Sequence, residues 1–302
     1  MRGRRPPGRL LLLAGACYVV SAAMCCLLAG TAHAPFGDLR IYRLGGAAVL
    51  RGARLYDLRF AWNLGFTYPP FAALAFTVLV VLPWAMVPAA VTAVSVGALP
   101  ATLWLALQLP GGPRLGRRRA ATIALAAAAA AVWLEPVRTD LGYGQLNLVI
   151  TALVLYDLSR DDSARLKGAA IGLATGLKLT PVIFAVYLAA TRRYRAAAVS
   201  AAVFGLTVAA GFAAAAADSA QFWTGTFANP ARVGRVENAA NQSLRGALAR
   251  VLHTASVEPI WLILAVVIGL SGLLLGAAAA RRGDEQAGFS LCAVTALLVS
   301  PV

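Results

Sequence analysis

The fold is decided by the apolar stretch at residues 10–30, LLLLAGACYVVSAAMCCLLAG, which carries no charged residue. A helix of about 20 apolar residues is long enough to cross the oily part of a bilayer. Similar stretches recur along the chain, so that 60% of its 302 residues are hydrophobic and only 13% are charged. Soluble domains are about 45–50% apolar and about 25% charged. The sequence therefore predicts an all-α integral membrane protein.

Apolar segments predict a polytopic bundle of about ten transmembrane helices, formed by residues 1–302 as a single domain. The short segments between 168 and 191 favour kinked or re-entrant helices. The basic and apolar N-terminus has the regions of a signal peptide, but its apolar length favours a retained first helix. The predicted spans lie near residues 10–32, 69–83, 86–109, 119–134, 145–158, 168–179, 181–191, 196–216, 258–280 and 287–302.

The basic residues in the short connections predict the orientation. These connections are assigned to one side of the membrane, and an excess of lysine and arginine marks the cytoplasmic side. The N-terminus is then cytoplasmic. The basic residues that define this side are Arg2, Arg4, Arg5, Arg9, Arg114, Arg117, Arg118, Arg119, Arg160, Arg165, Lys167, Arg192, Arg193, Arg195, Arg281 and Arg282.

The net charge of +15 does not point to nucleic acid, because the arginines are scattered between apolar spans. The four cysteines lie inside the first and last spans without the spacing of metal ligands, and only two histidines are present. We therefore expect no nucleic-acid partner and no zinc site.

The predicted outer side receives residues 33–68, 135–144 and 217–257, and its two long loops, 33–68 and 217–257, are expected to form the functional site. The first loop begins GDLRIYRLGG, a pattern for an amphipathic helix in the headgroup plane with Ile41 and Leu44 on its apolar face. Asp38 is interpreted either as the N-cap of this helix or as a general base at the membrane surface.

Further polar residues mark the same predicted side. Gln145 and Asn147 begin a span, where such amides bond either neighbouring helices or a substrate. Lys178 lies in the apolar GLATGLKLTPVIF, as a functional intramembrane cation or as a side chain that reaches the interface. Asn241, Gln242 and Arg245 surround Ser243, a candidate cap of an amphipathic helix.

At these residues the sequence resembles glycosyltransferase family 87, the bacterial membrane mannosyltransferases with a GT-C architecture. Four patches carry the resemblance, in the order of the family: GDLRIYRLGGAAVLRGARLYD with FTYPPFAAL, EPVRTDLGYGQLNLVI, LKGAAIGLATGLKLTPVIFAVYLAATRRYRAA, and NQSLRGALARV. Family members usually continue beyond a pair such as Ser300-Pro301, so the resemblance leads us to expect either a fragment or a truncated, inactive member of the family.

The resemblance implies a sugar donor on a polyprenyl phosphate and an acceptor that is a glycolipid or lipid-linked polysaccharide, used at the outer face of the bacterial plasma membrane. It also implies inversion at the sugar carbon and a catalytic aspartate, which maps onto Asp38. An arabinofuranosyl donor, a lipid transporter and a non-catalytic membrane protein remain alternatives.

The remaining site residues are expected to bind the two substrates without a metal ion or other cofactor. A cation would stabilise the leaving phosphate electrostatically. The predicted phosphate-binding residues are Lys178, Arg245, Arg40 and Arg43, and the predicted sugar- or acceptor-binding residues are Tyr42, Gln145, Asn147, Asn241 and Gln242.

Overall fold

The computed structural model describes residues 7–29, 36–59, 65–112, 115–228, 236–239 and 241–300. These parts of the chain are helical, and they contain one isolated antiparallel bridge, between Arg59 and Gly65. The helices are α1 (Pro7–Ala29), α2 (Gly37–Arg51), α3 (Pro70–Ala75), α4 (Val78–Val81), α5 (Val87–Ala106), α6 (Arg117–Ala131), α7 (Glu135–Tyr143), α8 (Asn147–Leu158), α9 (Ala169–Leu177), α10 (Val182–Ala190), α11 (Tyr194–Ala214), α12 (Ala216–Thr224), a 3₁₀ turn (Thr226–Ala228), α13 (Leu244–Val251), α14 (Glu258–Arg281) and α15 (Glu285–Val299).

Four of the described helices, α1, α5, α11 and α14, are long and apolar enough to cross a membrane. Helices α6 and α7 meet at an angle of 80° and give a fifth if the bent pair is one span. The shorter apolar helices are α8, α15 and the segment 70–81, which contains α3 and α4. The all-α fold is thus confirmed, whereas the count of about ten spans is not. The predicted break between 168 and 191 is present between α9 and α10.

One compact unit comprises Met1–Arg40 and Val81–Arg160. In it α1 packs along α6, where the Ser21 hydroxyl donates to the Ala129 carbonyl at 2.6 Å and accepts from the Trp133 indole at 2.7 Å. The Cys25 thiol, fully buried, contacts the Val132 carbonyl at 3.3 Å. These side chains satisfy polar groups inside an apolar interface, as transmembrane helix pairs require.

The second compact unit comprises Ile41–Val80 and Asp161–Val302. Its α9 packs against α11 through glycines spaced by four residues. A Cβ at Gly172 would overlap the Ser200 carbonyl oxygen, and one at Gly176 would overlap the Thr207 side chain. Small residues at this spacing let two helix backbones approach closely.

A buried charge pair joins α15 to the start of α11 in the same unit. Glu285, 2% exposed, accepts two hydrogen bonds from Arg193, at 2.7 and 2.6 Å, and one from the Tyr187 hydroxyl at 2.8 Å. Arg193 also lies 3.4 Å from Asp162, which pairs with buried Lys167 at 2.7 Å. Bidentate pairing of this kind compensates the cost of burying the charges.

Helix α2 forms where predicted, and the side that packs inside the protein carries Tyr42, Gly45 and Gly46. Tyr42 is 1% exposed, whereas Leu44 is 46% exposed and Ile41 is only partly buried. The reason lies in Gly45 and Gly46. A Cβ at either position would come within 2.5 Å of the Phe66 ring or the Phe76 carbonyl oxygen, respectively, so the glycine side is the one that packs closely.

Candidate functional site

Asp38 lies in the first turn of α2, where a carboxylate interacts favourably with the helix dipole. It is half-buried, and its Oδ2 accepts a hydrogen bond from the Gln145 side-chain amide. The carbonyl oxygen of that amide in turn accepts from the Asn147 side chain at 2.7 Å. The three polar residues therefore form a directed chain of hydrogen bonds that ends on the carboxylate.

The turn between α7 and α8 places these amides beside α2. Gly144 ends α7 in the left-handed conformation, with φ of 68°, and a Cβ there would lie 2.8 Å from that of Leu39. Only glycine meets both conditions without strain. The backbone N–H of Phe36 donates to the Gly142 carbonyl at 2.8 Å, which ties the segment before α2 to the same turn.

Arg40, two residues after Asp38, is exposed, and its guanidinium lies 4.9 Å from the centre of the Trp84 ring. Trp84 belongs to the turn that begins α5, where the Val87 N–H donates to the Trp84 carbonyl. An arginine that stacks on tryptophan can still donate its N–H groups outward in the plane of the guanidinium. The tryptophan ring holds the guanidinium in position.

In the second unit, Tyr42 stacks on Phe76 at 4.5 Å between ring centres, and its hydroxyl lies 2.7 Å from that of Tyr68. The Lys178 ammonium is half-buried and lies 5.9 Å from the centre of the Tyr68 ring. Lys178 is the residue at which α9 ends. Arg43 donates through Nε to the Leu79 carbonyl at 3.0 Å. The structure thus joins Tyr42 and Lys178 through Tyr68.

Arg245 lies in the first turn of α13, 4% exposed, with Nη2 2.5 Å from Glu258 and its guanidinium 5.7 Å from the Trp261 ring. Its Nε and Nη1 atoms are buried without a hydrogen-bond partner within the described part of the chain. Ser243 caps α13 as predicted and accepts from the Gly246 N–H at 3.3 Å.

The amides beside Arg245 make local hydrogen bonds. The side-chain oxygen of Asn241 accepts from the Ser243 N–H at 3.1 Å and hydroxyl at 2.7 Å, and the Gln242 amide donates to the Ala239 carbonyl at 2.6 Å. These contacts account for both residues as parts of the turn that precedes α13. Their predicted role in sugar binding stays a prediction.

Sequence reasoning brought Asp38, Gln145 and Asn147 to the same side of the membrane but did not join them, whereas the structure does. It missed Tyr68 as the partner of Lys178 and Trp84 as the partner of Arg40. Tyr68 stood in the quoted FTYPP motif, but Trp84 carried no signal beyond being an aromatic residue between two predicted spans.

The arrangement suits a proton transfer. A carboxylate that accepts a hydrogen bond from one amide, which is itself held by a second amide, can act as a positioned proton acceptor. In the described segments, no group of three or more histidine, cysteine, aspartate or glutamate side chains is placed to hold a metal ion.

Helices of membrane-spanning length and a half-buried carboxylate at a helix start define a helical membrane protein with a polar site. The model of glycosyltransferase family 87 matches residues 66–301, and the chain belongs to that family. The match begins after Asp38. No solved structure matches the chain significantly.

Curated relatives align over most of the chain. It is 34% identical, over 89% of its length, to a polyprenol-phosphate-mannose-dependent α-(1-2)-phosphatidylinositol pentamannoside mannosyltransferase of Mycolicibacterium smegmatis, of which it covers 66%. It is 33% identical, over 98% of its length, to the enzyme of that name in Mycobacterium tuberculosis, of which it covers 70%. The chain thus spans about two thirds of the length of these relatives.

Proposed function

We propose that the chain transfers mannose from a polyprenyl-phosphate donor to a glycolipid acceptor of the phosphatidylinositol mannoside kind. The family membership and the names of the relatives support the donor, the sugar and the class of acceptor. The orientation predicted from the basic connections supports transfer at the outer face of the plasma membrane.

The observation that carries the proposal is the hydrogen-bond chain from Asn147 through Gln145 to Asp38. In the proposed inverting step, the acceptor oxygen attacks the anomeric carbon of mannose from the side opposite the phosphate. Its proton passes to the Asp38 carboxylate as the bond from the anomeric carbon to the phosphate oxygen breaks, and the bonding electrons leave with the phosphate. The amide chain holds the carboxylate in one orientation during this step.

Arg40 is the first choice for the residue that stabilises the leaving phosphate. It is the exposed one of the two α2 arginines predicted for this role, Arg40 and Arg43, and it belongs to the unit that contains Asp38. Arg43 makes a backbone hydrogen bond and Arg245 is buried against Glu258, so neither is as accessible. The predicted phosphate contact of Lys178 stays a prediction, which unchanged donor affinity in Lys178→Met would contradict.

The proposal is tested with membranes that contain the chain and a phosphatidylinositol mannoside acceptor. Each of three donors is supplied separately: polyprenyl-phosphate mannose, polyprenyl-phosphate arabinofuranose and a nucleotide mannose. We expect transfer from the first donor only, with a product whose anomeric configuration is opposite to that of the donor. Transfer from arabinofuranose alone would replace the sugar in the proposal, and a retained configuration would remove the single-displacement mechanism.

A further inference from the structure

An open groove of about 380 Å³ runs between α1 and α5 in the unit that contains Asp38. This volume falls within the roughly 300–1,000 Å³ of small-ligand sites. The groove is almost entirely apolar, and its walls include Val19, Ala23 and Cys26 of α1, Ala89 and Ala93 of α5, and Phe36.

The groove exists because small side chains of α1 and α5 face each other, while one large side chain, Tyr18, joins the two helices at one end. The Tyr18 hydroxyl of α1 donates to the Val96 carbonyl of α5 at 2.5 Å, and Val96 lines one end of the groove. Alanines line both walls beyond this point, so the space is not filled by the helices themselves. In a bilayer, such a space is occupied by a hydrocarbon chain or by another apolar segment.

The opposite end of the groove lies next to the polar site. Phe36 lines the groove, and its carbonyl accepts from the Arg40 N–H at 3.0 Å in the first turn of α2, which also holds Asp38. The Arg40 guanidinium stacks on Trp84, in the turn that begins α5. Tryptophan and arginine are typical of the membrane–water interface. The first turn of α2, with Asp38 and Arg40, therefore follows directly on one end of a groove whose lining is apolar.

We propose that this groove binds the polyprenyl chain of the donor, with the phosphate at the Arg40 end; this assignment rests on the proposed function. The chemistry of the two substrates decides between their hydrocarbon chains. In the donor, a single phosphate separates the reacting sugar carbon from the polyprenyl chain, so the chain must enter the bilayer beside the catalytic base. In the acceptor, several sugar rings and the inositol separate the reacting hydroxyl from the acyl chains, which therefore need not approach Asp38.

A filling substitution tests the groove. Ala93→Phe places a ring in the space, whereas Ala90→Phe changes an exposed alanine of the same helix that does not line it. We expect Ala93→Phe to raise KM for a long-chain donor by about tenfold, since several buried methylene groups lose their contacts. The KM for a donor with a chain of two isoprene units, the KM for the acceptor and the amount of protein in the membrane should match those of Ala90→Phe.

A binding measurement complements the kinetics and needs no transfer. A polyprenyl phosphate with a photoreactive diazirine in its chain is irradiated with the full chain in membranes, and the labelled peptides are mapped. We expect labels on α1 and α5 that excess polyprenyl phosphate removes, that phosphatidylinositol mannoside leaves in place, and that Ala93→Phe but not Ala90→Phe abolishes.

The outcomes separate this proposal from the proposed function. If the wild-type chain transfers mannose but Ala93→Phe behaves as Ala90→Phe does with both donors, the groove assignment is wrong and the function stands. Labels elsewhere in the chain, or labels removed by the acceptor lipid, overturn the assignment in the same way. If the wild-type chain transfers no mannose but the groove is labelled as expected, the function fails and a polyprenyl-phosphate site remains.

Discussion

At the scale of single residues, the position of Asp38 depends on neutral amides. A hydrogen bond between a neutral amide and a carboxylate contributes about 1.5–3 kcal/mol, and its geometry restricts how the carboxylate turns. Gln145 makes that bond, and Asn147 fixes Gln145 from the other side. If Asp38 is the base, as proposed, both amides are positioning residues that would act on the reaction through the orientation of its carboxylate.

We predict that Gln145→Ala lowers kcat by about tenfold, the effect of a misoriented base, while KM for the donor changes little. Asn147→Ala should have a smaller effect in the same direction, because Gln145 still reaches Asp38. Steady-state kinetics in membranes with matched protein levels measure both. A raised KM with normal kcat in Gln145→Ala would assign the residue to substrate binding instead.

At the scale of elements, glycines allow α9 and α11 to pack closely, and charge pairs hold the connection between α8 and α9 against Arg193. Gly172 leaves α9 no room for a Cβ against the α11 backbone, whereas a Cβ at Gly205, within α11, would meet nothing within 4 Å. The connection between α8 and α9 contributes Asp162 and Lys167 to the charge pairs around Arg193. These contacts hold the helices of the second unit together at two different places.

We predict that Gly172→Ala destabilises the protein by about 1–3 kcal/mol, because the added methyl group forces the two backbones apart. The matched substitution Gly205→Ala should be neutral or slightly stabilising, since alanine favours a helix. Thermal unfolding in detergent compares the two variants with the wild type. Equal melting temperatures for both would contradict the close contact between α9 and α11.

Asp162, which lies outside the predicted spans, is expected to make the stability of the fold depend on pH. Burial raises the pKa of Asp162, but hydrogen bonding to Lys167 and the charges of Arg193 and Lys167 more than offset this, so the pKa lies below its usual range. A carboxyl with a lowered pKa in the folded state binds its proton at higher pH in the unfolded state. Its contribution to stability is therefore complete above the usual aspartate pKa, about 3.9, and is lost as pH falls below it.

We expect Asp162→Asn to lower the melting temperature at pH 6 and to show less further loss between pH 5 and pH 3 than the wild type. Asp284→Asn is the matched control, since Asp284 is an exposed N-cap of α15 and asparagine also caps helices. A wild type and an Asp162→Asn variant with parallel pH profiles would show that the Lys167 pair adds nothing to stability.

Hydropathy predicted the elements because apolar length determines where helices form in a bilayer. The predicted spans each contain a helix or a broken pair, from α1 to α15. It could not predict the Asp38 hydrogen bonds, which depend on how the turn at Gly144 docks against α2. It also did not indicate which side of α2 packs inside the protein, because that side depends on the close approach that Gly45 and Gly46 allow.

At the scale of the whole molecule, the chain belongs to glycosyltransferase family 87, and its relatives are named as mannosyltransferases. The orientation in the membrane and the formation of one site from the two outer loops stay predictions. Asp38 links these levels, because the helix start that holds it, the amides that orient it and the proposed groove all belong to one unit.

The most direct test of the account compares mannosyl transfer by membranes containing the wild-type chain, Asp38→Asn and Asp57→Asn. Asp57 is an aspartate of the same predicted outer loop, exposed and 3.8 Å from Arg54. We predict a loss of about 10²–10⁴-fold in Asp38→Asn, the usual contribution of a positioned base, with Asp57→Asn close to the wild type. Transfer by Asp38→Asn at the rate of Asp57→Asn would contradict the assignment of Asp38 as the base.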